Sequence, residues 1–170
     1  MKTQVNQCGQ GRSAYLLDGL LAGVVGSTAL NAATYLDMAV RGRPASTTPQ
    51  RSAGRIVDGF GVDLGAEPVA DNRRTGIGSL LGYAVATTAA AAVTTALGAR
   101  SLPVPVTTAL LGGAAMLASA APMTALGVTD PRHWSRTDWL SDIVPHLVFG
   151  AAAALTWRRL APGPRAGQRR

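Results

Sequence analysis

The chain has 170 residues, 47% of them hydrophobic, and its 16 basic side chains against nine acidic ones leave a formal net charge of +7. The single cysteine, Cys8, excludes an internal disulfide and any zinc pattern built on cysteine pairs. An excess of basic residues raises the question of nucleic acid, but here fifteen of the sixteen are arginine and they sit in loops and tails between long uncharged runs.

Those runs cover residues 19–36, 75–99, 101–129 and 143–157, and about 20 apolar residues suffice for a helix to cross roughly 30 Å of hydrocarbon. The last run reaches that length when Trp139 and Leu140 are added. A soluble alanine-rich helix would repeat polar residues every three or four positions on its outward face, whereas residues 75–99 contain no Lys, Glu, Gln or Asn. The expected fold class is therefore all-α: a four-helix transmembrane bundle with a short amphipathic helix in its first loop.

In chain order, residues 1–13 are polar and form a flexible or interfacial tail. Residues 14–40 form the first span, which is too long for a signal-peptide core, carries Asp18 near its start and has no A-x-A cleavage site, so it is expected to be retained. Gly19, Gly23 and Ser27, spaced by four and continued by Asn31, place small residues along one helical face for close packing. The loop at 41–74 opens on Gly42, Pro44 and Pro49, which end the helix. Within it, residues 50–64 carry Ile56, Val57, Phe60 and Leu64 at helical spacing. With six Arg against four acids, this loop reads most simply as a solvated linker with one interfacial helix, and a headgroup or partner site is the sharper alternative.

The second span, 75–99, has Gly78 and Gly82 four apart, with Tyr83 close behind, and threonines that can bond to their own backbone. The third, 101–128, begins with Pro103 and Pro105 in its first turn, continues through Gly112 and Gly113, and meets Pro122, which should kink or end it. In the loop 129–138, Ser135 and Asp138 have capping-box spacing ahead of the fourth span, 139–158. Trp134 and Trp139 at one end, and Trp157, Arg158 and Arg159 at the other, are expected membrane-interface anchors. A basic flexible tail fills 159–170.

Strongly polar groups inside a span are expensive and therefore draw attention. Asp138, Asp142 and His146 recur every four residues on the last span. At about 1.5 Å per residue, Asn31 lies about 9 Å inside Asp37 and His146 about 10 Å inside Trp139. Both depths are measured from the loop face, so Asn31, Tyr35, Asp37, Asp142 and His146 are expected to converge there as a polar intramembrane cluster. It would be either a proton-responsive pocket or, more simply, interhelical packing glue. Asp37 and Arg41 at i, i+4 read as a helix-end ion pair.

No catalytic residues are assigned. The glycines of GFGVDLG lack the Lys-Ser/Thr ending of a phosphate loop, no serine lies in a G-x-S-x-G elbow, and Asp63 and Glu67 have no third partner. His133 and His146 without a further ligand give no metal site, and no cofactor is expected.

Four spans put both termini and Arg100 on one side and the longer loops on the other, with eight Lys or Arg on each side. Eight of the nine acids lie on the loop side, so the terminal side is net positive and is assigned to the cytoplasm.

The segments AGVVGSTALNAATYLDMAVRGRPAS and MTALGVTDPRHWSRTDWLSDIVPHLVFG together resemble small, uncharacterised four-span integral membrane proteins of high-GC bacteria. The resemblance covers about 16–157 and implies a multi-pass cell-membrane protein of unknown activity, with no assigned residues to carry over. The role expected from the residues is that of a structural or accessory subunit packing with itself or a larger membrane partner in the lipid bilayer, with no nucleic-acid partner. A minimal transporter or channel using the cluster around Asn31 and His146 is the alternative.

Overall fold

The computed structural model describes the backbone of residues 2–160 and the side chains of residues 11–160. It consists of α1 (Lys2–Arg41), α2 (Thr48–Gly59), α3 (Val69–Leu97), α4 (Val104–Ala125) and α5 (Arg136–Leu160), with a short 3₁₀ turn at Pro131–His133. No strand occurs among the described residues. From Gly11 onward α1 is long and apolar enough to cross a membrane, as are α3, α4 and α5. The all-α architecture with four such helices and a short helix in the first loop is therefore present as expected.

The outer surface agrees with that reading. Leu17, Leu21, Leu80, Leu117, Leu140 and Leu155 are each more than half exposed. In water each would gain about 1.5–3 kcal/mol from burial, whereas among lipid tails a leucine has no such drive to turn inward.

The helices overrun the expected spans. α1 starts at Lys2, so residues 2–13 are its first turns rather than a separate tail. α3 starts at Val69 and takes in Asp71, Arg73 and Arg74, and α5 starts at Arg136. The uncharged runs mark only the part of each helix that suits hydrocarbon; nothing in Asp, Asn or Arg stops the hydrogen-bonded helix from continuing beyond it, and Asp71 in the first turn of α3 complements the helix dipole. α4 is shorter than expected. It passes through Pro122 by one further turn and ends at Ala125. The tail at 161–170, with Arg165, Arg169 and Arg170, lies outside the described residues.

Turns follow their local chemistry. α1 gives way to Gly42 at φ +63° and then Pro44. α3 ends on Gly98 at φ +56°, whose amide donates to the Thr94 carbonyl; a side chain there would be strained. Ser135 caps α5 as its spacing predicts: the Ser135 amide and hydroxyl both donate to Asp138 Oδ2 at 2.9 and 2.7 Å, and the Asp138 amide donates back to Ser135 Oγ at 3.2 Å.

The four long helices form a ring in which α1 packs on α3 and α5, and α4 packs on α3 and α5, while the diagonal pairs barely touch. Phe149, Leu111 and Trp157 fill a core otherwise made of alanines such as Ala22, Ala90 and Ala153. Small residues let the backbones meet. A Cβ at Gly19 would lie 2.0 Å from Thr94 Oγ1, and one at Gly23 would lie 2.6 Å from the Thr87 Cα. The expected face of α1 is therefore a packing face, and its neighbour is α3. Ser27 is buried with it and donates to the Gly23 carbonyl at 2.9 Å.

α2 packs lengthwise along the start of α3 in the opposite direction. A Cβ at Gly78 would lie 2.6 Å from the Pro49 carbonyl oxygen, and one at Gly54 would lie 3.4 Å from Arg74 Cδ. Its buried residues are Ser52, Ala53 and Val57. Gly82, expected to pack like Gly78, has nothing within 4 Å of where its Cβ would be; one helical turn beyond Gly78, α3 has run past the beginning of α2.

Candidate functional site

Four of the five residues expected to converge fall into three local arrangements. Asn31, half-buried on α1, donates from Nδ2 to Tyr83 Oη on α3 at 3.1 Å. His146 on α5 turns back on its own helix, with Nδ1 2.8 Å from the Asp142 carbonyl oxygen and 3.4 Å from Asp142 Oδ1. Asp37, at the end of α1, accepts from Arg41 at 2.6 Å and from Arg43. Tyr35 is 64% exposed and takes no part.

Among the described residues, one polar contact links the loop-side ends of α1 and α5: Arg41 also donates to Ser141 Oγ at 2.6 Å. Helix rotation decides the partners of these groups. Asn31 continues the small-residue face directed at α3, and Tyr83 is the hydroxyl that α3 offers there.

The pairing has a measurable consequence. We expect Asn31→Ala and Tyr83→Phe each to lose about 0.6 kcal/mol of stability in bilayer-like detergent, with most of that loss shared in the double variant, as for interhelical hydrogen bonds in membranes. Thermal or denaturant unfolding of the four-member cycle measures it. Coupling of the same size between Asn31→Ala and His146→Ala would restore a single cluster.

Several determinants went unread in the sequence. Thr94 is completely buried, and its Oγ1 lies 3.0 Å from the Tyr15 carbonyl oxygen across the α1–α3 contact as well as near its own helix carbonyls. Gly26 faces the Phe149 ring, and Gly112 and Gly150 bring α4 and α5 together almost backbone to backbone. The pair Gly112–Gly113 and the face formed by Phe149, Gly150, Ala153 and Ala154 were the available signals.

The tryptophans divide. Trp134 and Trp139 form an edge-to-face pair with ring centroids 5.0 Å apart, Trp134 Nε1 donates to Thr129 Oγ1 at 2.9 Å, and Trp139 is partly exposed. That is the amphipathic setting expected of an interface. Trp157 is not such an anchor: it is 4% exposed, belongs to the core, and its indole N–H meets no acceptor among the described residues. Position 157 lies eight residues after Phe149 and so repeats its inward helical face. Arg158 and Arg159 beside it are exposed.

No group of three or more metal-ligating side chains occurs among the described residues. In the α4–α5 turn, Asp130 accepts from the Arg132 amide at 3.0 Å and lies 3.0 Å from His133 Nδ1. The amide bond, then the charges of Arg132 and His133, hold its carboxyl below the ordinary aspartate range. A cleft of about 530 Å³ opens between α2 and the start of α3, lined by Gln50, Arg51, Arg55, Asp58, Asp71 and Arg74 among others. No family model, curated protein or solved structure matches the chain.

Proposed function

We propose that this chain is a multi-pass component of a cell membrane, with its termini in the cytoplasm, and that it acts as a structural or accessory subunit for another membrane protein. The observation that carries this reading is the local satisfaction of most polar groups within the spans, Thr95 Oγ1 and Trp157 Nε1 excepted. Asn31 is held by Tyr83, His146 lies against the turn that precedes it, and Ser27, Thr87 and Thr107 bond to backbone carbonyls. The Asn31–Tyr83 bond joins two helices, and the other four side chains are satisfied within their own helix.

Small residues on the first span are used inside the bundle, so the small surface left for a neighbouring helix is on α3. There Ala84, Thr88 and Ala92 recur every four residues and are exposed along a shallow apolar groove beside Ala118 of α4. Spacing of this kind permits close approach of a second transmembrane helix.

Purification of the tagged chain from its native membrane in mild detergent tests the reading. A stoichiometric membrane protein retained by the wild type and lost in Thr88→Leu supports it, because leucine at that exposed position closes the groove without touching the core. If both chains are recovered alone, and proteoliposomes show a pH-dependent solute flux abolished in His146→Ala, the chain is a transporter and the subunit role fails.

A further inference from the structure

We propose that the cleft between α2 and α3 binds the headgroup of a monoanionic phospholipid in the loop-side leaflet, with the phosphodiester held by Arg51, Arg55 and Arg74. The proposal rests on the membrane placement of the four long helices and is independent of the partner. Its first support is depth. Arg74 immediately precedes the uncharged stretch at 75–99, and α2 runs beside it with Gly54 against the Arg74 side chain and Pro49 against Gly78. Gly78 lies about 6 Å further along the helix than Arg74. The basic part of the cleft is thus at headgroup level, and its acids are on turns leading away from the hydrocarbon.

The second support is charge. Three arginines and two aspartates line the cleft, Glu67 beside it brings the acids to three, and the arginines differ in how far each is already engaged. Arg74 is paired with Glu67 at 2.6 Å and lies 3.6 Å from Asp71. Arg51 gives one N–H to the Val128 carbonyl at 2.8 Å and keeps its other donors. Arg55, exposed on the same face of α2, makes no hydrogen bond or ion pair among the described residues. The oxygens of a phosphodiester suit the planar donor fork of arginine, which Arg55 and the remaining donors of Arg51 leave open.

The third support is rigidity. Gln50 donates from Nε2 to Thr75 Oγ1 at 3.1 Å, Ser52, Ala53 and Val57 are buried, and Arg51 ties α2 to the end of α4. The cleft is therefore built on packed helices. A lipid bound there would bridge α2, α3 and the α4 end, a reason for a short helix to stand where a plain linker would connect the spans.

Native mass spectrometry of the full-length chain in mild detergent, titrated with phosphatidylglycerol, tests the proposal. Wild type and Arg136→Ala, which removes an exposed arginine at the loop-side start of α5, should retain one lipid with similar affinity. The Arg51→Ala/Arg55→Ala double variant should bind it roughly tenfold more weakly or worse. Equal retention by all three chains would mean non-specific annular lipid and overturn the proposal. Displacement of the lipid by millimolar inorganic phosphate would overturn the lipid as the ligand in favour of a free anion. Alkaline carbonate extraction of each chain reads membrane insertion separately: an inserted wild type that retains no lipid rejects the site alone, and an extracted wild type rejects the membrane placement itself.

Discussion

Gly150→Ala will pull α4 and α5 apart. Its new Cβ would stand 2.2 Å from the Thr108 carbonyl oxygen and 2.8 Å from the Gly112 amide nitrogen. Both obstacles are backbone, so no rotamer change relieves the clash, and one helix must move. Overpacking of this kind costs about 1–3 kcal/mol in well-packed cores, and the upper part of that range is expected because the opposing Gly112 is equally tight, with a Cβ there 2.5 Å from the His146 carbonyl oxygen. Gly113→Ala provides the contrast. Nothing lies within 4 Å of its Cβ position, so the substitution should gain about 0.5–1 kcal/mol from reduced backbone freedom in the unfolded chain. Thermal unfolding in detergent should move in opposite directions for these two variants, one on each of the facing helices α5 and α4. A neutral Gly150→Ala would mean that α4 and α5 lie farther apart than described.

Phe149→Ala is the second large effect. The ring is fully buried and seated against Gly26 of α1, so truncation leaves a void at the α1–α5 contact. In a water-soluble core such a change costs about 3–5 kcal/mol, combining lost transfer energy with the cavity. In a bilayer the separated helices still keep the side chain among apolar chains, so mainly the cavity and lost packing contribute. We expect about 2–3 kcal/mol, measured by unfolding in mixed micelles. Leu155→Ala on the same helix, where the leucine is 54% exposed, should cost nearly nothing. A comparable loss there would show that the outer face of α5 is covered by something other than lipid.

These two sites also indicate what could be read before the structure. Span number and helical class were legible because hydrocarbon imposes length and excludes charge, and 75–99 meets both conditions plainly. Capping by Ser135 and Asp138 was legible because it depends on four consecutive residues. The packing of Gly19 and Gly23 was legible as a face, although the sequence could not say that Thr94 and Thr87 would meet it. Partner choice depends on how each helix is rotated about its axis, a quantity with no local signal in a helix as uniformly small and apolar as α3. Asn31 could therefore be recognised as needing a partner, and Tyr83 could not be named as that partner. Trp157 was misassigned because tryptophan near a helix end usually lies at an interface, whereas here its register with Phe149 and Ala153 decided the matter.

The ring described above is closed by contact between its first and last members. Chains are made from the N-terminus, so while α3 and α4 are inserted, the Gly26 side of α1 and the Gly112 side of α4 both lack their neighbour. α5 docks against both, with Phe149 toward the former and Gly150 against the latter. The final helix thus acts as a clasp, and without it the Gly26 side of α1 and the Gly112 side of α4 both stand uncovered.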